Sequence, residues 1–260
     1  MRFNGEVIVI TGGSGGMGEA MARRLLDEGA RVVIVDLHSE PIEAAVKRLG
    51  GAAAGVAGAA ADTADEKSMA DAVAFAVATF GSVYGLITAA GIRQTAGLFH
   101  ELDMSTWETL HRVNVLGTLV AIRACREQLI AQQGAVVTVA SVTARGARWG
   151  QSAYAVSKAS VSHLTKQVAM ELSPHRVRVN ALLPGVTNTP MIAQAVATDG
   201  PGVLEAKVKG SLEQFRPGIP LGRLAEPEEQ AAAAAFLLSS DASFFTGIDL
   251  YVDGGVSMVG

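Results

Sequence analysis

The chain has 260 residues, 49% of them apolar and 18% charged, with a formal net charge of −4. This is enough apolar material for one large covered core, and the scattered basic residues form neither a stripe for nucleic acid nor a basic amphipathic helix for a membrane surface. No uncharged apolar run approaches the roughly 18 residues of a membrane span, no leader-like segment precedes the first strand-like run, and the single cysteine, Cys125, excludes an internal disulfide. The expectation is a cytoplasmic protein with Cys125 packed in a helix, not acting as a nucleophile. The five histidines (His38, His100, His111, His163 and His175) show no ligand spacing, so no metal site is expected.

In chain order, strand-like runs alternate with runs of helical spacing. EVIVIT (6–11) is apolar and β-branched and stops at glycines, and GEAMARRLLDEGA (18–30) follows with helical spacing. RVVIVD (31–36) reads as the second strand and SEPIEAAVKRLG (39–50) as the second helix, with Pro41 tolerated in its first turn. The low-complexity GAAAGVAGAAAD (51–62) places a third strand in its second half. TADEKSMADAVAFAVATFG (63–81) is helical, and Thr63 and Glu66 have the Thr-x-x-Glu form of a capping box. YGLITAAG (84–91) and GAVVTVAS (134–141) read as the fourth and fifth strands, separated by one long helix over 104–133. A helix from Tyr154 to Ser173, a sixth strand in VRVNALLPG (177–185) and a seventh in IDLYVDGG (248–255) complete the series. This alternation predicts one α/β domain over 1–260, a parallel sheet with helices on both faces. Glycines and prolines break the rhythm between 191 and 226, which reads as a partly helical insertion that covers a site.

The stretch ITGGSGGMGEA places Gly12, Gly16 and Gly18 between the first strand and the first helix. There glycine permits the tight turn, a close backbone approach to a pyrophosphate, and close helix–strand packing. The following helix offers unpaired N–H groups and the positive end of its dipole to phosphate. Asp36 ends the second strand, where a carboxylate accepts from the adenosine ribose hydroxyls and repels a 2′-phosphate, favouring NAD over NADP. Tyr154 and Lys158 are four residues apart, on one face of a helix.

With these features assembled, the chain resembles the short-chain dehydrogenase/reductase family over nearly its whole length. TGGSGGMG matches the family's Thr-Gly-x-x-x-Gly-x-Gly, and Asp62 its adenine-contacting acid. Thr88-Ala89-Ala90-Gly91 stands where the family usually has Asn-Asn-Ala-Gly. Asn114, Ser141, Tyr154 and Lys158 match the catalytic tetrad, and LPGVTNTPM resembles the nicotinamide-side motif. The resemblance implies a doubly wound Rossmann fold with a seven-stranded sheet. It adds Ser14, Met17, Leu37, Thr63, Ala90 and Gly91 to the cofactor-binding residues, together with Pro184, Gly185, Thr187 and Thr189. It also implies a small-molecule substrate and a homotetramer or homodimer packed through the helices beginning near Ser105 and Tyr154.

In this setting Tyr154 is the expected general acid/base. Lys158 and the cationic nicotinamide ring are expected to lower its pKa, and Lys158 also bonds the nicotinamide ribose. Ser141 is expected to hold the substrate oxygen, and the resemblance gives Asn114 a water in a proton relay. Stretches around 137–158, 182–191 and 213–229 resemble 2,3-dihydro-2,3-dihydroxybenzoate dehydrogenases. Arg148, six residues before Tyr154, is the candidate carboxylate clamp, with Arg93, Gln151 and Met191 as further substrate residues and Arg145 a weaker alternative. GIRQTAG (91–97) departs from the pattern of those enzymes. A generic ketone, 3-oxoacyl or sugar-alcohol oxidoreductase of the same family remains open, as does a dinucleotide-sensing protein without turnover.

Overall fold

The β-branched run Val7–Thr11 forms β1, buried along its whole length, and the same composition gives β2 (Arg31–Asp36), β4 (Gly85–Thr88), β5 (Ala135–Val139) and β6 (Arg178–Pro184). With β3 (Val56–Ala60) and β9 (Asp249–Val252) they build one parallel seven-stranded sheet of order β3-β2-β1-β4-β5-β6-β9. Such strands read as continuous apolar runs because both faces are covered. The computed structural model describes residues 1–200 and 202–259; Pro201, within the 191–226 insertion, and Gly260 lie outside the described residues.

One face is covered by α1 (Gly16–Asp27), α2 (Ser39–Arg48) and α9 (Pro227–Leu238), which contribute Met21, Leu25, Ile42, Ala234 and Leu238 to a core with Ile8, Ile10 and Ile34. The other face is covered by α3 (Glu66–Phe80), α5 (Gly117–Gln132) and α6 (Ser152–Leu172), with Met69, Ile122, Leu129 and Leu172 packed on Val9, Val33 and Val136. Cys125 lies in this second layer, and burial pushes its thiol up to about 12. Strand order reverses between β1 and β4. This opens the crevice at the carboxyl ends of the strands where ligands of such sheets bind. Among the described residues no helix is long and apolar enough to cross a membrane.

Three local features differ from the sequence expectation, and the expected partly helical insertion is present with an added hairpin. The cap of α3 is Asp65, whose Oδ1 accepts from Ser68 N at 2.7 Å, and not Thr63. Asp captures the third N–H of the helix directly, which moves the helix start two residues downstream. The long helix over 104–133 is α4 (Met104–Leu110) and α5 joined through one π turn, His111–Leu116, which contains Asn114. α9 has no counterpart among the sequence-predicted elements. Its alanine run lacks an amphipathic signature, and a Glu226/Glu229 capping box with Pro227 in the first turn starts it. The insertion forms α7 (Pro190–Asp199), α8 (Gly202–Lys209) and a small antiparallel hairpin, β7 (Gly210–Ser211) with β8 (Arg216–Pro217).

Candidate active site

The site lies on the carboxyl edge of the sheet, where β1 runs into the glycine turn. Gly12 takes φ +68°, and a Cβ there would be 2.6 Å from Ala90 N, after β4. A Cβ at Gly18 would overlap the Gly12 carbonyl oxygen, so helix and turn pack at a distance only glycine allows. α1 then starts at Gly16 without a side-chain cap, leaving its first N–H groups to an external acceptor. Ser14 is pinned to Asp36: Oδ2 accepts from Ser14 Oγ at 2.5 Å and from Ser14 N at 3.3 Å, while Oδ1 accepts from Leu37 N at 2.9 Å. The turn, the uncapped helix and the neighbouring carboxylate form a cradle that fits a dinucleotide.

Asp62, beyond β3, pairs with Arg112 at 2.6 Å and accepts from Ala64 N at 2.9 Å; the Arg112 guanidinium holds its carboxyl below the usual range. Thr63 is buried, and a Cβ built on Gly117, the first residue of α5, would lie 2.7 Å from its Oγ1. Thr88, in the departing TAAG motif, is buried with an unpartnered hydroxyl. The turn after β4 is held instead by Asn114: Oδ1 accepts from Ile92 N at 2.9 Å, and Nδ2 donates to Ile92 O at 3.1 Å and to Ser157 Oγ at 2.9 Å. Gly91 fits beneath this clasp, since a Cβ there would lie 3.1 Å from Asn114 Oδ1 and 3.3 Å from Lys158 Nζ.

Tyr154 and Lys158 project from the same face of α6, with Lys158 Nζ 5.9 Å from the Tyr154 ring centroid. Lys158 is buried and donates to Val139 O at 2.8 Å, at the end of β5. Burial lowers its ammonium to about 8. The tyrosine differs from the expectation: burial raises its pKa, and the group opposing that rise is Ser141, not the lysine. Desolvation disfavours both charged forms, and the lysine directs its ammonium at a carbonyl. Ser141 caps the short 3-10 turn Val142–Ala144 by accepting from Thr143 N at 3.2 Å, and so faces Tyr154 across one cavity.

That cavity collects the four expected substrate residues and part of the expected cofactor set, whereas Asn114, Lys158, the glycines of the turn and the Asp36 and Asp62 neighbourhoods do not line it. Met17, Pro184, Gly185, Thr187 and Thr189 line it from the cofactor side. Arg93, Arg148, Gln151 and Met191 line it as well, whereas Arg145 is exposed and does not. Ile192, Lys207, Gln214 and Arg216 reach it from the 191–226 segment. Among the residues the sequence reading did not assign to the site are Arg216 and Gln94. Arg216 lies in the 213–229 stretch that carries part of the resemblance, which does not single it out. Gln94, inside the departing GIRQTAG stretch, is buried; its Oε1 accepts from Tyr154 N at 3.1 Å, and its Nε2 donates to Gly150 O at 2.9 Å and Gly97 O at 3.3 Å. It therefore caps the first turn of α6 from a distant loop, in place of Gln151, which makes no side-chain cap. Gln94→Leu leaves the Tyr154 N–H and the Gly97 carbonyl without these partners, while Gly150 O keeps the Gly97 N–H at 3.2 Å, and is expected to cost about 2 kcal/mol of stability. Urea unfolding measures this, and an unchanged midpoint would contradict it.

A family model described as enoyl-(acyl carrier protein) reductase matches residues 12–257. Cis-4-hydroxycyclohexanecarboxylate dehydrogenase of Sinomonas cyclohexanicum is 36% identical over 99% of this chain and 98% of its own length. The 2,3-dihydro-2,3-dihydroxybenzoate dehydrogenase of Bacillus subtilis is 35% identical over 98% and 97% respectively. Among solved structures, 3-ketoacyl-(acyl-carrier-protein) reductase from Brucella melitensis, complexed with NADH, superposes with a TM-score of 0.86 at 33% identity, covering 98% of this chain and 99% of that one. Sequence, sheet order and site geometry agree: the chain belongs to the short-chain dehydrogenase/reductase family of oxidoreductases.

Proposed function

We propose that this protein oxidises a ring carbinol of a cyclic hydroxy or dihydrodiol carboxylate, such as 2,3-dihydro-2,3-dihydroxybenzoate, with NAD as cofactor. The observation that carries the reading is the shared cavity: Ser141 and Tyr154 face a space lined on one side by the nicotinamide-side residues and on the other by arginines. Two full-length relatives are named for ring substrates that bear a carboxylate, which supports the same substrate class. When bound, NAD supplies the hydride acceptor. Tyr154 takes the carbinol proton at its phenolic oxygen, and Ser141 holds the substrate oxygen where charge develops. Lys158 secures the cofactor ribose and contributes positive charge near the phenol, and Asn114 fixes the π turn and the loop after β4 behind it. Asp36 favours NAD, because a 2′-phosphate would meet its carboxylate. The 191–226 segment covers the substrate, and exposed Leu116 on the π turn and Val156 and Met170 on α6 suit the helices beginning near Ser105 and Tyr154 to assembly as a homodimer or homotetramer.

Oxidation of a cyclohexadiene diol yields a ketone that tautomerises to an aromatic catechol, so the reaction is pulled forward and suits an NAD enzyme. The test is NADH formation from trans-2,3-dihydro-2,3-dihydroxybenzoate and from cis-4-hydroxycyclohexanecarboxylate, each with NAD and with NADP. Turnover of either acid with NAD supports the proposal; turnover of neither, or an NADP preference, overturns it. A second reading, reduction of a 3-oxoacyl substrate, is favoured by the likeness to the Brucella 3-ketoacyl-(acyl-carrier-protein) reductase. Reduction of a β-ketoester with NADPH would establish it.

A further inference from the structure

The charged residues lining the cavity are Arg93, Arg148, Lys207 and Arg216; no Asp or Glu is among the described residues that line it. In a chain of net charge −4, one cavity has gathered cations alone. Two of them come from separate elements. Arg148 sits on the loop between β5 and α6, and Arg216 on β8 of the hairpin, where it pairs in register with Ser211. A close backbone approach fixes that strand: Gly210, on β7, takes φ +87°, and a Cβ on it would lie 2.6 Å from Arg216 O. Both guanidinium groups are partly withdrawn from water, and burial lowers the pKa of each. The charged neighbour acting on Arg216 is Arg148, another cation. The acid whose field reaches Arg148 is Asp253, and its two oxygens already accept from Gly255 N at 2.9 Å and Ser257 N at 2.8 Å. Two desolvated like charges facing one cavity disfavour each other until an anion sits between them. A planar carboxylate matches the fork of a guanidinium, and a pair of forks grips both of its oxygens.

We infer that Arg148 and Arg216 together form the subsite for a carboxylate of the substrate, with Arg216 supplied by the hairpin of the covering segment. This rests on the reading of the substrate as a ring carboxylate and adds the residue that closes on it. Because one arm belongs to the hairpin and the other to the loop before α6, the anion ties the covering segment to the helix that carries Tyr154.

The test uses a ligand that cannot react. Benzoate and neutral benzamide are titrated into the full-length enzyme saturated with NADH, by calorimetry, for wild type, Arg148→Gln, Arg216→Gln and Arg216→Lys. Wild type is expected to prefer benzoate. Each glutamine variant is expected to weaken benzoate binding about tenfold or more and to leave benzamide nearly unchanged, with Arg216→Lys intermediate because it keeps the charge and loses the fork. NADH titration of each variant reports that the fold is retained. Equal affinity of wild type for the two ligands, or benzoate binding unaltered by Arg216→Gln, overturns the inference. Loss of benzoate binding in the variants, with no turnover of either ring acid by wild type, leaves this subsite standing and removes only the proposed reaction.

Discussion

Replacing Tyr154 by phenylalanine is expected to lower kcat by about 10³-fold while NADH still binds, because the only atom removed is the one proposed to carry the proton. The ring stays on the first turn of α6, with its N–H still held by Gln94 and its carbonyl still accepting from Ser157 Oγ at 2.7 Å. A general loss of structure would weaken NADH binding as well, which fluorescence titration would detect. The same phenol sets the pH dependence. Burial raises its pKa, so at neutral pH the group is protonated, and the form able to accept a proton grows as pH rises. Oxidation is therefore expected to accelerate from pH 7 to 9. A flat or falling profile would remove Tyr154 from the role of base. A protein that only senses dinucleotide would show no turnover in either form.

Arg178→Met is expected to cost about 3 kcal/mol, a fall in melting temperature of about 6–12 °C for a domain of this size. The reason lies at the end of α9, whose last carbonyls have no partner within the helix. Ala235 O and Phe236 O are reached by Ser239 N. Arg178, at the start of β6, takes the next: Nη1 donates to Leu237 O at 2.6 Å and Ala242 O at 3.0 Å, and Nη2 to Leu238 O at 2.9 Å and Ser239 O at 3.0 Å. A cation at this position also complements the negative end of the helix dipole. Tyr84 OH adds one bond to Leu238 O at 3.2 Å, Ala242 N one to Ser239 O at 3.2 Å and Phe245 N one to Ala242 O at 3.0 Å; these would remain in the variant, while Leu237 O would lose the bond that Arg178 gives it. Lysine has no fork to span four acceptors, so Arg178→Lys should recover only part of the loss. Calorimetric melting measures both variants, and a change of under a degree for Arg178→Met would refute this account.

The parts legible in the sequence are those set by short-range rules. VIVIT and RVVIVD can only be buried strands, and the glycines after the first strand specify a turn that a Cβ at Gly12 or Gly18 would block. The four-residue step from Tyr154 to Lys158 puts both on one helix face by periodicity alone, and there they lie. What stays hidden depends on partners distant in the chain. Gln94 serves Tyr154 from 60 residues away, and no local pattern marks a glutamine in a polar loop as a helix cap. Arg216 takes its meaning from Arg148, on an element whose approach the glycine- and proline-rich insertion does not encode in any periodicity. The π turn at Asn114 is equally silent, since an extra residue in a long helix leaves the apolar pattern almost unchanged. The sign of the Tyr154 shift is not legible either, because spacing shows which charges are near but not how far water is excluded.

Cys125 gives the protein a practical property. Its thiol lies in the core between α5 and the sheet, at about 12, so in the folded state it is neither ionised nor reachable. The native chain is therefore silent towards alkylating reagents, and a cysteine introduced at Gln214, exposed on the hairpin loop, would be the sole site of attachment for a fluorophore. Native Cys125 would then serve as an internal clock, modified only as fast as the core opens.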